Sequence, residues 1–493
     1  MKKLKILFVS SEVAPFAKTG GLADVSSALP KALKELGHEV RIILPKYKGI
    51  NERKYVLREV IRLKDIPITV GEEVHNINVK SAFTPDQDKI QTYFIDYRPY
   101  FNREGLYIDK KTKKEYPDND ERFILFGKAV LETLKLLFWQ PDVIHCNDWQ
   151  TGLIPFFTRT IYKDDEFFKK TAVLFTIHNV GYQGNFPIES LEKTNTPSEF
   201  TKQGSSVEYY EKFSFMKSGI NFADFVNTVS ERYASEVQES EEFGFGFQGI
   251  FKENKKKFIG ILNGVDYSVW SPETDKLIPV NYTYGEIAKK LDNKKALLET
   301  FGMPFKESIP VIGIVSRLAD QKGFDLLESA IDDIIKMKVQ LVVLGTGDKK
   351  YHTMMETLSK KHPKNIGTML TFDEKIAHLI EAGSDMFFMP SRYEPCGLNQ
   401  MFSLKYGTVP IVRSVGGLAD TIQEFDPKKN TGNGFCFKEY DAKKMLETIK
   451  RAVKLFEDAK TWKKIIKNGM KQDFSWTASA KKYTKLYDRI LIR

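Results

Sequence analysis

Two basic side chains in the second half of the chain are spaced so that they could hold a diphosphate. Arg317 and Lys322 stand five residues apart, and Gly323 follows them directly. The apolar run 311–315 precedes this loop, which predicts a buried strand that ends in a basic turn. A guanidinium and an ammonium group fixed in such a turn can neutralise phosphate oxygens. Ordinary surface charge is the alternative interpretation of the same pair.

The turn 390–398 could place a carboxylate at a similar site. It follows the apolar run 386–389 and precedes an amphipathic stretch from Asn399, which predicts a strand, a polar turn and a helix. Ligands bind beyond the carboxyl ends of strands in open α/β sheets, so we expect Glu394 to face a ligand. Cys396 suggests a nucleophile, but no histidine is adjacent to activate it. A small residue packed under the turn is the better interpretation.

Two glycine pairs open predicted helices with the same five residues. The sequence Gly-Gly-Leu-Ala-Asp occurs at 20–24 and again at 416–420. Unpaired N–H groups at the N-terminus of a helix can bind an anion, so either pair could contact a phosphate. Close packing at the start of a helix is the alternative for both.

Polar and aromatic side chains in the first half add weaker candidates. Asp148 and Trp149 follow one predicted strand, and His178 follows the next. A structural histidine is the more common interpretation of His178 when it is considered alone. The loop 97–107 is both aromatic and polar, so its rings could stack on sugars, with local packing as the alternative. The first rings of this loop are Tyr97, Tyr100 and Phe101.

Several phosphate and metal motifs are absent from the sequence. Gly345 and Gly347 follow a predicted strand, but the third glycine of a dinucleotide fingerprint would fall at Lys350. No Gly-x-x-x-x-Gly-Lys-Ser/Thr sequence occurs, which argues against a kinase or ATPase. No group of cysteine, histidine and acidic residues has zinc-ligand spacing, so we expect no structural metal.

Composition excludes other classes of function. Lys+Arg 75 and Asp+Glu 65 give a net charge of +10, but the lysines form short groups such as 110–114 and 255–257 without interleaved aromatic residues. We therefore expect surface charge and no nucleic-acid partner. Three cysteines without a Cys-x-x-Cys pair predict no disulfide framework and a reducing, cytoplasmic location. No segment approaches 18 uninterrupted apolar residues, which predicts no membrane span.

The predicted elements form two α/β domains with doubly wound parallel sheets. A chain of 493 residues is too long for one ordinary core. Residues 6–44 predict a strand, a helix and a second strand, whereas residues 53–100 alternate as hairpins do. Strands and helices alternate again after a hinge near 262–266, and a final helix at 476–490 is long enough to return to the first domain. We therefore expect an N-terminal domain at 1–259 completed by 475–493, and a C-terminal domain at 260–474.

Together these motifs resemble the bacterial glycogen synthase and plant starch synthase family of retaining glucosyltransferases. The segment 18–25, Lys-Thr-Gly-Gly-Leu-Ala-Asp-Val, is similar to the N-terminal signature of that family, and the resemblance covers nearly the whole chain. Two positions depart from the usual pattern, where Gln150 stands in place of a second histidine and Phe372 in place of a tyrosine. Further matching stretches are 145–153, 176–184, 262–272, 315–323, 390–398 and 405–420.

The resemblance implies a fold and a reaction. The fold is the GT-B architecture, with two Rossmann-like domains facing a central cleft. The reaction transfers glucose from ADP-glucose to the non-reducing end of an α-1,4-glucan, such as glycogen or a maltooligosaccharide, with retention of configuration and release of ADP. ADP-glucose is a substrate in this reaction, and no cofactor is implied.

The resemblance also assigns roles to residues. Arg317 and Lys322 would stabilise the leaving diphosphate, and Glu394 would accept hydrogen bonds from the glucosyl hydroxyls. Asp148 and His178 complete the implied catalytic set. The donor-binding residues would be Lys18, Gly20, Gly21, Asp24, Asn179, Asn263, Phe372, Cys396, Gly397, Leu398, Gly416 and Gly417. The acceptor-binding residues would be Tyr97, Tyr100, Phe101 and Trp149.

Two other functions stay open at the level of sequence. A GT-B enzyme that uses a UDP-sugar, as a sucrose-synthase-like transferase does, would share the fold, although the 18–21 loop favours ADP-glucose. An inactive glucan-binding scaffold would share it too. Such a scaffold would have no need to keep Lys18, Arg317, Lys322 and Glu394 together.

Overall fold

A computed structural model describes residues 2–492 and contains two compact units. The first unit comprises the chain up to Val229, the segment Ala234–Ile261 and the chain from Trp476 onward. The second unit comprises Leu262–Ser475 and the short segment Ser230–Tyr233. Each unit has its own sheet and its own apolar core.

The first unit is built on a ten-stranded sheet whose central part is parallel. The strand order is β13-β12-β8-β7-β1-β2-β6-β5-β3, and β4 pairs with β5. The strands are β1 (Lys5–Val9), β2 (Glu39–Pro45), β3 (Arg58–Glu59), β4 (Ile66–Val70), β5 (Glu73–Phe83), β6 (Gln91–Asp96), β7 (Val143–Asn147), β8 (Ala172–Ile177), β12 (Phe225–Thr228) and β13 (Phe258–Gly260). A separate three-stranded sheet contains β9 (Asn185–Pro187), β10 (Glu208–Tyr209) and β11 (Lys212–Ser214).

The sequence pattern explains which strands lie where. Strands β7 and β8 are buried at every residue, as strands covered on both faces of a parallel sheet should be. Strand β4 alternates between buried and exposed residues and forms an antiparallel hairpin with β5, which confirms the hairpins predicted between 53 and 100. The sheet reverses its winding direction at β1, which lies between β2 and β7. Loops that follow β1 and β7 therefore meet at one edge of the sheet.

The helices of the N-terminal part connect these strands. The longest, α3, has 18 residues. The helices are α1 (Gly21–Glu35), α2 (Arg98–Phe101), α3 (Asn119–Leu136), α4 (Leu153–Arg159), α5 (Phe215–Phe222), α6 (Glu231–Glu239), α7 (Glu241–Gly244) and α8 (Gln248–Glu253).

The second unit has a six-stranded, fully parallel sheet in the order β16-β15-β14-β17-β18-β19. Its winding direction reverses between β14 and β17. The strands are β14 (Val311–Val315), β15 (Gln340–Leu344), β16 (Ile366–Met369), β17 (Met386–Met389), β18 (Val409–Arg413) and β19 (Phe435–Phe437). The helices are α9 (Lys290–Thr300), α10 (Phe324–Lys336), α11 (Lys349–Lys361), α12 (Glu374–Gly383), α13 (Asn399–Lys405), α14 (Gly416–Thr421), α15 (Ala442–Phe456) and α16 (Ala459–Met470).

The last helix, α17 (Trp476–Leu491), belongs to the first unit and packs on α1 and β8. The buried face of this helix carries hydroxyl groups that form hydrogen bonds with polar side chains of the first unit. The Tyr487 hydroxyl lies 2.8 Å from His145 Nδ1, and Thr484 Oγ1 lies 3.1 Å from His38 Nε2. The Tyr483 hydroxyl accepts a hydrogen bond from Asn227 Nδ2. Buried polar groups require such partners, so α17 completes the core of this unit.

None of the helices within residues 2–492 is both long and apolar enough to cross a membrane.

Candidate active site

The second unit brings the basic loop and the carboxylate turn together. Strands β14 and β17 are neighbours and parallel, so the loops that follow them leave the sheet at the same edge. The Arg392 N–H donates to the Gln321 carbonyl at 2.8 Å, which joins the two loops directly. The sequence-predicted residues Arg317, Lys322 and Glu394 therefore lie on connected loops.

Lys322 and Glu394 form an ion pair. Lys322 Nζ lies 2.6 Å from Glu394 Oε2, and both side chains are mostly buried. Ser391 Oγ donates a second hydrogen bond to the same carboxylate oxygen at 3.0 Å. A charge-assisted bond of this length between shielded groups fixes both side chains in one orientation. The ammonium and the carboxylate thus compensate each other's charge.

Gln321 holds Arg317 next to this pair. Its side-chain oxygen accepts a hydrogen bond from the Arg317 guanidinium at 3.3 Å. Its side-chain nitrogen donates to the Tyr393 carbonyl at 3.2 Å. The Arg317 side chain is exposed. One amide therefore links the guanidinium to the backbone beside Glu394.

The second glycine pair packs against the carboxylate turn. A Cβ atom at Gly416 would lie 1.9 Å from the Glu394 carbonyl oxygen, and one at Gly417 would lie 1.9 Å from the Cys396 carbonyl oxygen. The Gly417 N–H donates to the Glu394 carbonyl at 3.1 Å. This N–H group is used within the protein, and helix α14 has only six residues. The geometry therefore agrees with the packing alternative for Gly416 and Gly417 and does not support anion binding by the Gly417 N–H.

Cys396 and Asn263 lie side by side under the same turn. Both are buried, and burial raises the pKa of the Cys396 thiol to about 12. The thiol stays protonated at neutral pH, which agrees with a packing role. Asn263 Oδ1 is buried and has no hydrogen-bond partner among the described residues. Gly397 and Leu398 lead into α13, whereas Phe372 is a highly exposed ring.

In the first unit, the 18–21 loop follows β1 and leads into α1. Lys18 Nζ lies 2.6 Å from Asp24 Oδ1, and both side chains are about half exposed. The N–H groups of Thr19 and Gly20 donate to the buried carboxylate of Glu12. Helix α1 begins at Gly21, and the Ala23 N–H of its first turn donates to the Gly20 carbonyl at 3.3 Å, whereas the N–H groups of Gly21 and Leu22 precede any carbonyl of the helix that could accept from them.

Asp148 and His178 also lie at the carboxyl edge of the first sheet. The backbone N–H of His178 donates to Asp148 Oδ1 at 2.7 Å, and the N–H of Asn179 bonds the same side chain. Burial raises the pKa of Asp148 to about 7, and the negative charge of Glu12 contributes further. Burial lowers the pKa of His178 to about 3. His178 Nε2 lies 3.0 Å from Asn147 Oδ1, so the neutral ring is held in a defined orientation.

The low pKa of His178 predicts a specific pH dependence of stability. An unfolded chain binds a proton at this position near pH 6.5, whereas the native chain does so only near pH 3. The stability associated with neutral His178 is therefore complete above pH 6.5 and is lost as the pH falls toward 3. We expect the Tm of the wild type to fall about 3 °C further per pH unit below 6.5 than the Tm of His178→Asn. Parallel pH profiles of Tm, measured by scanning fluorimetry, would contradict this expectation.

Three of the four rings expected to stack on the acceptor are buried. Phe101 is fully buried, and Tyr100 and Trp149 are each 8% exposed. Trp149 packs between Tyr107, Phe123, Phe186 and Phe215. Neighbouring side chains cover the faces of these three rings, which agrees with local packing and leaves little of their surface open to a sugar. Tyr97 is partly exposed, and its hydroxyl lies 2.9 Å from His75 Nδ1.

No cluster of three or more histidine, cysteine, aspartate or glutamate side chains within the described part of the chain could hold a metal ion.

Sequence reasoning misses two residues that organise the site. Glu12 lies shortly after β1, and Gln321 lies between Arg317 and Lys322 in the sequence. A carboxylate or amide at the carboxyl end of a predicted parallel strand is the signal that could have found both. Neither residue has a motif of its own.

Comparisons with known proteins identify the family. Residues 5–253 match the family described as "Starch synthase catalytic domain", and residues 299–472 match "Glycosyl transferases group 1". A glycogen synthase from Koribacter versatilis is 46% identical over 487 residues, covering 99% of this chain and 98% of the relative. A glycogen synthase from Thermosipho africanus is 46% identical over 493 residues, covering 99% of each.

Solved structures agree with this result. The catalytic domain of starch synthase IV from Arabidopsis thaliana, bound to ADP and acarbose, has a TM-score of 0.89 at 30% identity, and the match covers 100% of both chains. A sucrose-phosphate synthase from Thermosynechococcus elongatus has a TM-score of 0.59 at 17% identity, covering 99% of this chain and 100% of the other, which shows a shared fold. These structures confirm the predicted GT-B class with two Rossmann-like domains. The chain belongs to the glycogen synthase and starch synthase family of glycosyltransferases.

Proposed function

We propose that this protein is a glycogen synthase that transfers glucose from ADP-glucose to the non-reducing end of an α-1,4-glucan, with retention of configuration and release of ADP. The observation that carries the proposal is the connected set of Arg317, Lys322 and Glu394 in a chain that matches glycogen synthases over 99% of its length. The starch synthase of similar fold binds ADP and acarbose, which supports a nucleotide-sugar donor and a glucan acceptor.

Charge stabilisation is the main requirement of the reaction. Breaking the bond between glucose C1 and the diphosphate leaves negative charge on ADP and positive character on the sugar. Arg317 and Lys322 would neutralise the leaving diphosphate, because both cations come from the loop after β14. The diphosphate is already an acidic leaving group, so no strong general acid is needed.

When the donor binds, its contacts would replace the ion pair between Lys322 and Glu394. Lys322 would share its charge with phosphate oxygens, and Glu394 would accept hydrogen bonds from glucosyl hydroxyls. The N–H groups that precede α13, including those of Cys396, Gly397 and Leu398, would contact the same sugar. The unpaired oxygen of Asn263 offers a further acceptor. Phe372, exposed in the same unit, would contact the nucleotide base.

Residues of the first unit would bind the same substrates through hydrogen bonds. Lys18 and the first N–H groups of α1, including that of Gly21, would contact the donor. The Gly20 N–H donates to Glu12, and Asp24 forms an ion pair with Lys18. His178 would act as a neutral hydrogen-bonding group, since its pKa of about 3 keeps it uncharged. Asp148 and Asn179 would bind sugar hydroxyls next to it.

Retention of configuration would follow from attack on the same face that ADP leaves. No carboxylate is assigned to the opposite face of C1, so the proposal does not include a covalent glucosyl-enzyme. A leaving diphosphate held by Arg317 and Lys322 can itself accept the proton of the attacking glucan hydroxyl.

The donor preference tests the proposal. Purified protein should extend maltoheptaose with ADP-glucose, and kcat/KM should be about 5- to 150-fold lower with UDP-glucose, since a small difference in the fit of a substrate to its pocket discriminates by about 1 to 3 kcal/mol. The new linkage should be digested by an α-1,4-specific glucosidase, and proton NMR should show an α-configured product. A preference for UDP-glucose would overturn the donor assignment. No transfer from either donor would favour a glucan-binding scaffold.

A further inference from the structure

Glu12 is a buried carboxylate that the proposed reaction does not use. Its side chain is 4% exposed and lies directly after β1, at the point where the sheet reverses its winding direction. A charged group so deeply buried is costly unless hydrogen bonds satisfy it. The hydrogen-bond partners of this carboxylate therefore indicate its role.

One set of partners comes from the loop that carries Lys18. The Thr19 N–H and hydroxyl groups both donate to Glu12, and the Gly20 N–H donates at 3.2 Å. These three bonds come from the two residues that immediately precede α1. They fix the direction in which Lys18 and the first N–H groups of α1 point.

The other partner comes from a different part of the chain. The Tyr107 hydroxyl lies 2.9 Å from Glu12 Oε1 and 2.7 Å from Ser11 Oγ. The Tyr107 ring packs against Trp149, which is the neighbour of Asp148. Glu12 Oε1 thus receives both the Thr19 hydroxyl and the Tyr107 hydroxyl. One carboxylate therefore joins two loops that are distant in sequence.

The backbone of Glu12 is fixed as well. The Glu12 N–H donates to Ser10 Oγ at 3.2 Å, and Ser10 Oγ donates to the Glu12 carbonyl at 2.7 Å. Ser26 Oγ, from α1, donates to Ser10 Oγ at 2.9 Å. Both serines are fully buried. The carboxylate is therefore held by the same helix whose start it organises.

We propose that Glu12 is a positioning residue that links the Lys18–Gly21 loop to the Tyr107 loop and holds the donor-binding groups of the first unit in the geometry that ADP-glucose requires. The inference rests on the proposed function. Because Glu12 already occupies the N–H groups of Thr19 and Gly20, the donor phosphates would meet only Lys18 and the N–H groups that follow. The carboxylate acts through these groups and does not touch the substrate.

Steady-state kinetics with ADP-glucose and maltoheptaose test this role. Glu12→Ala should raise KM for ADP-glucose about 10- to 100-fold, because the loop that carries Lys18 loses three hydrogen bonds, while KM for maltoheptaose stays within about twofold. Glu12→Gln should restore most of the affinity, because an amide can accept from the N–H groups and donate to the two hydroxyls. An unchanged KM for ADP-glucose in a folded Glu12→Ala protein would overturn the proposal.

Tyr107→Phe provides a second arm that does not depend on the folding of Glu12→Ala. It removes the Tyr107 hydroxyl that donates to the Glu12 carboxylate. We expect KM for ADP-glucose to rise by about 3- to 10-fold, the equivalent of one hydrogen bond. In the double variant its effect should disappear, because it acts through Glu12. Additive effects in the double variant, or no effect of Tyr107→Phe alone, would contradict the link.

Glu208→Ala is a matched control. Glu208 is also buried in the first unit, and its carboxylate also accepts backbone N–H groups, those of Gly204 and Glu211. Its loss should lower Tm without changing KM for ADP-glucose. An equal rise in KM for the control would show that Glu12 has only a structural role. The proposed function fails if the wild type itself does not use ADP-glucose. The positioning role of Glu12 alone fails if the wild type is active and the variants are unaffected.

Discussion

Replacing Lys322 with alanine should lower kcat by about 10²- to 10³-fold, the usual cost of removing one group that stabilises charge in the transition state. Lys322 lies in the loop after β14, where its ammonium group would meet the charge that develops on ADP. Glu394→Gln should lower kcat by a similar factor, because an amide cannot replace both acceptor oxygens of the carboxylate. Initial rates at saturating ADP-glucose and maltoheptaose measure both effects.

The ion pair between Lys322 and Glu394 makes these two variants informative together. If the two side chains act on one substrate, the double variant should lose far less than the product of the single losses. Lys336→Ala is a suitable control, because Lys336 is an exposed lysine of the same unit that pairs with Asp333 at 2.9 Å. Retention of wild-type kcat in Lys322→Ala, with an unchanged Tm, would remove Lys322 from the proposed site.

Replacing Gly417 with alanine should lower kcat by about 10²-fold, since a shift of about 1 Å in a catalytic group has that cost. The new Cβ atom would lie 1.9 Å from the Cys396 carbonyl oxygen and 2.6 Å from the Cys396 Cα atom. The turn that carries Glu394 must move to relieve this overlap. We expect KM for ADP-glucose to rise as well, because the N–H groups before α13 move with the turn.

A second glycine of the same unit supplies the control. A Cβ atom at Gly285 would meet only Thr283 Oγ1, at 3.6 Å, which is ordinary van der Waals contact. Gly285→Ala should therefore keep wild-type kcat and KM. Equal losses in the two variants would show that the effect of Gly417→Ala comes from general destabilisation, and full activity of Gly417→Ala would show that the turn tolerates the added atom.

The central parallel strands of the two large sheets are predictable because most of their residues are buried. Runs such as 143–144, 172–175 and 311–315 lack polar side chains, which is the pattern of a parallel sheet. Strand order depends on contacts between distant segments, and no local pattern specifies it. The winding reversal at β1 and between β14 and β17 therefore becomes known only from the fold.

The candidate site is only partly predictable for the same reason. Loops after parallel strands can be assigned to one edge of a sheet, so Arg317, Lys322 and Glu394 are accessible to sequence reasoning. The burial of an aromatic loop cannot be predicted in this way. Tyr100 and Phe101 give the same sequence pattern whether they face solvent or the core. Glu12 and Gln321 are missed because each acts by joining loops that are distant in sequence or in strand order.

The assignment of α17 to the first unit has a consequence for biosynthesis. The polar groups of His38, His145 and Asn227 are made early, yet their partners on α17 are made only after the second unit. Domains tend to fold as they emerge during synthesis. The sequence of the second unit is therefore complete before that of the first unit. We expect the C-terminal unit to reach its native state first on the growing chain, and the N-terminal unit to finish folding only once α17 has been made.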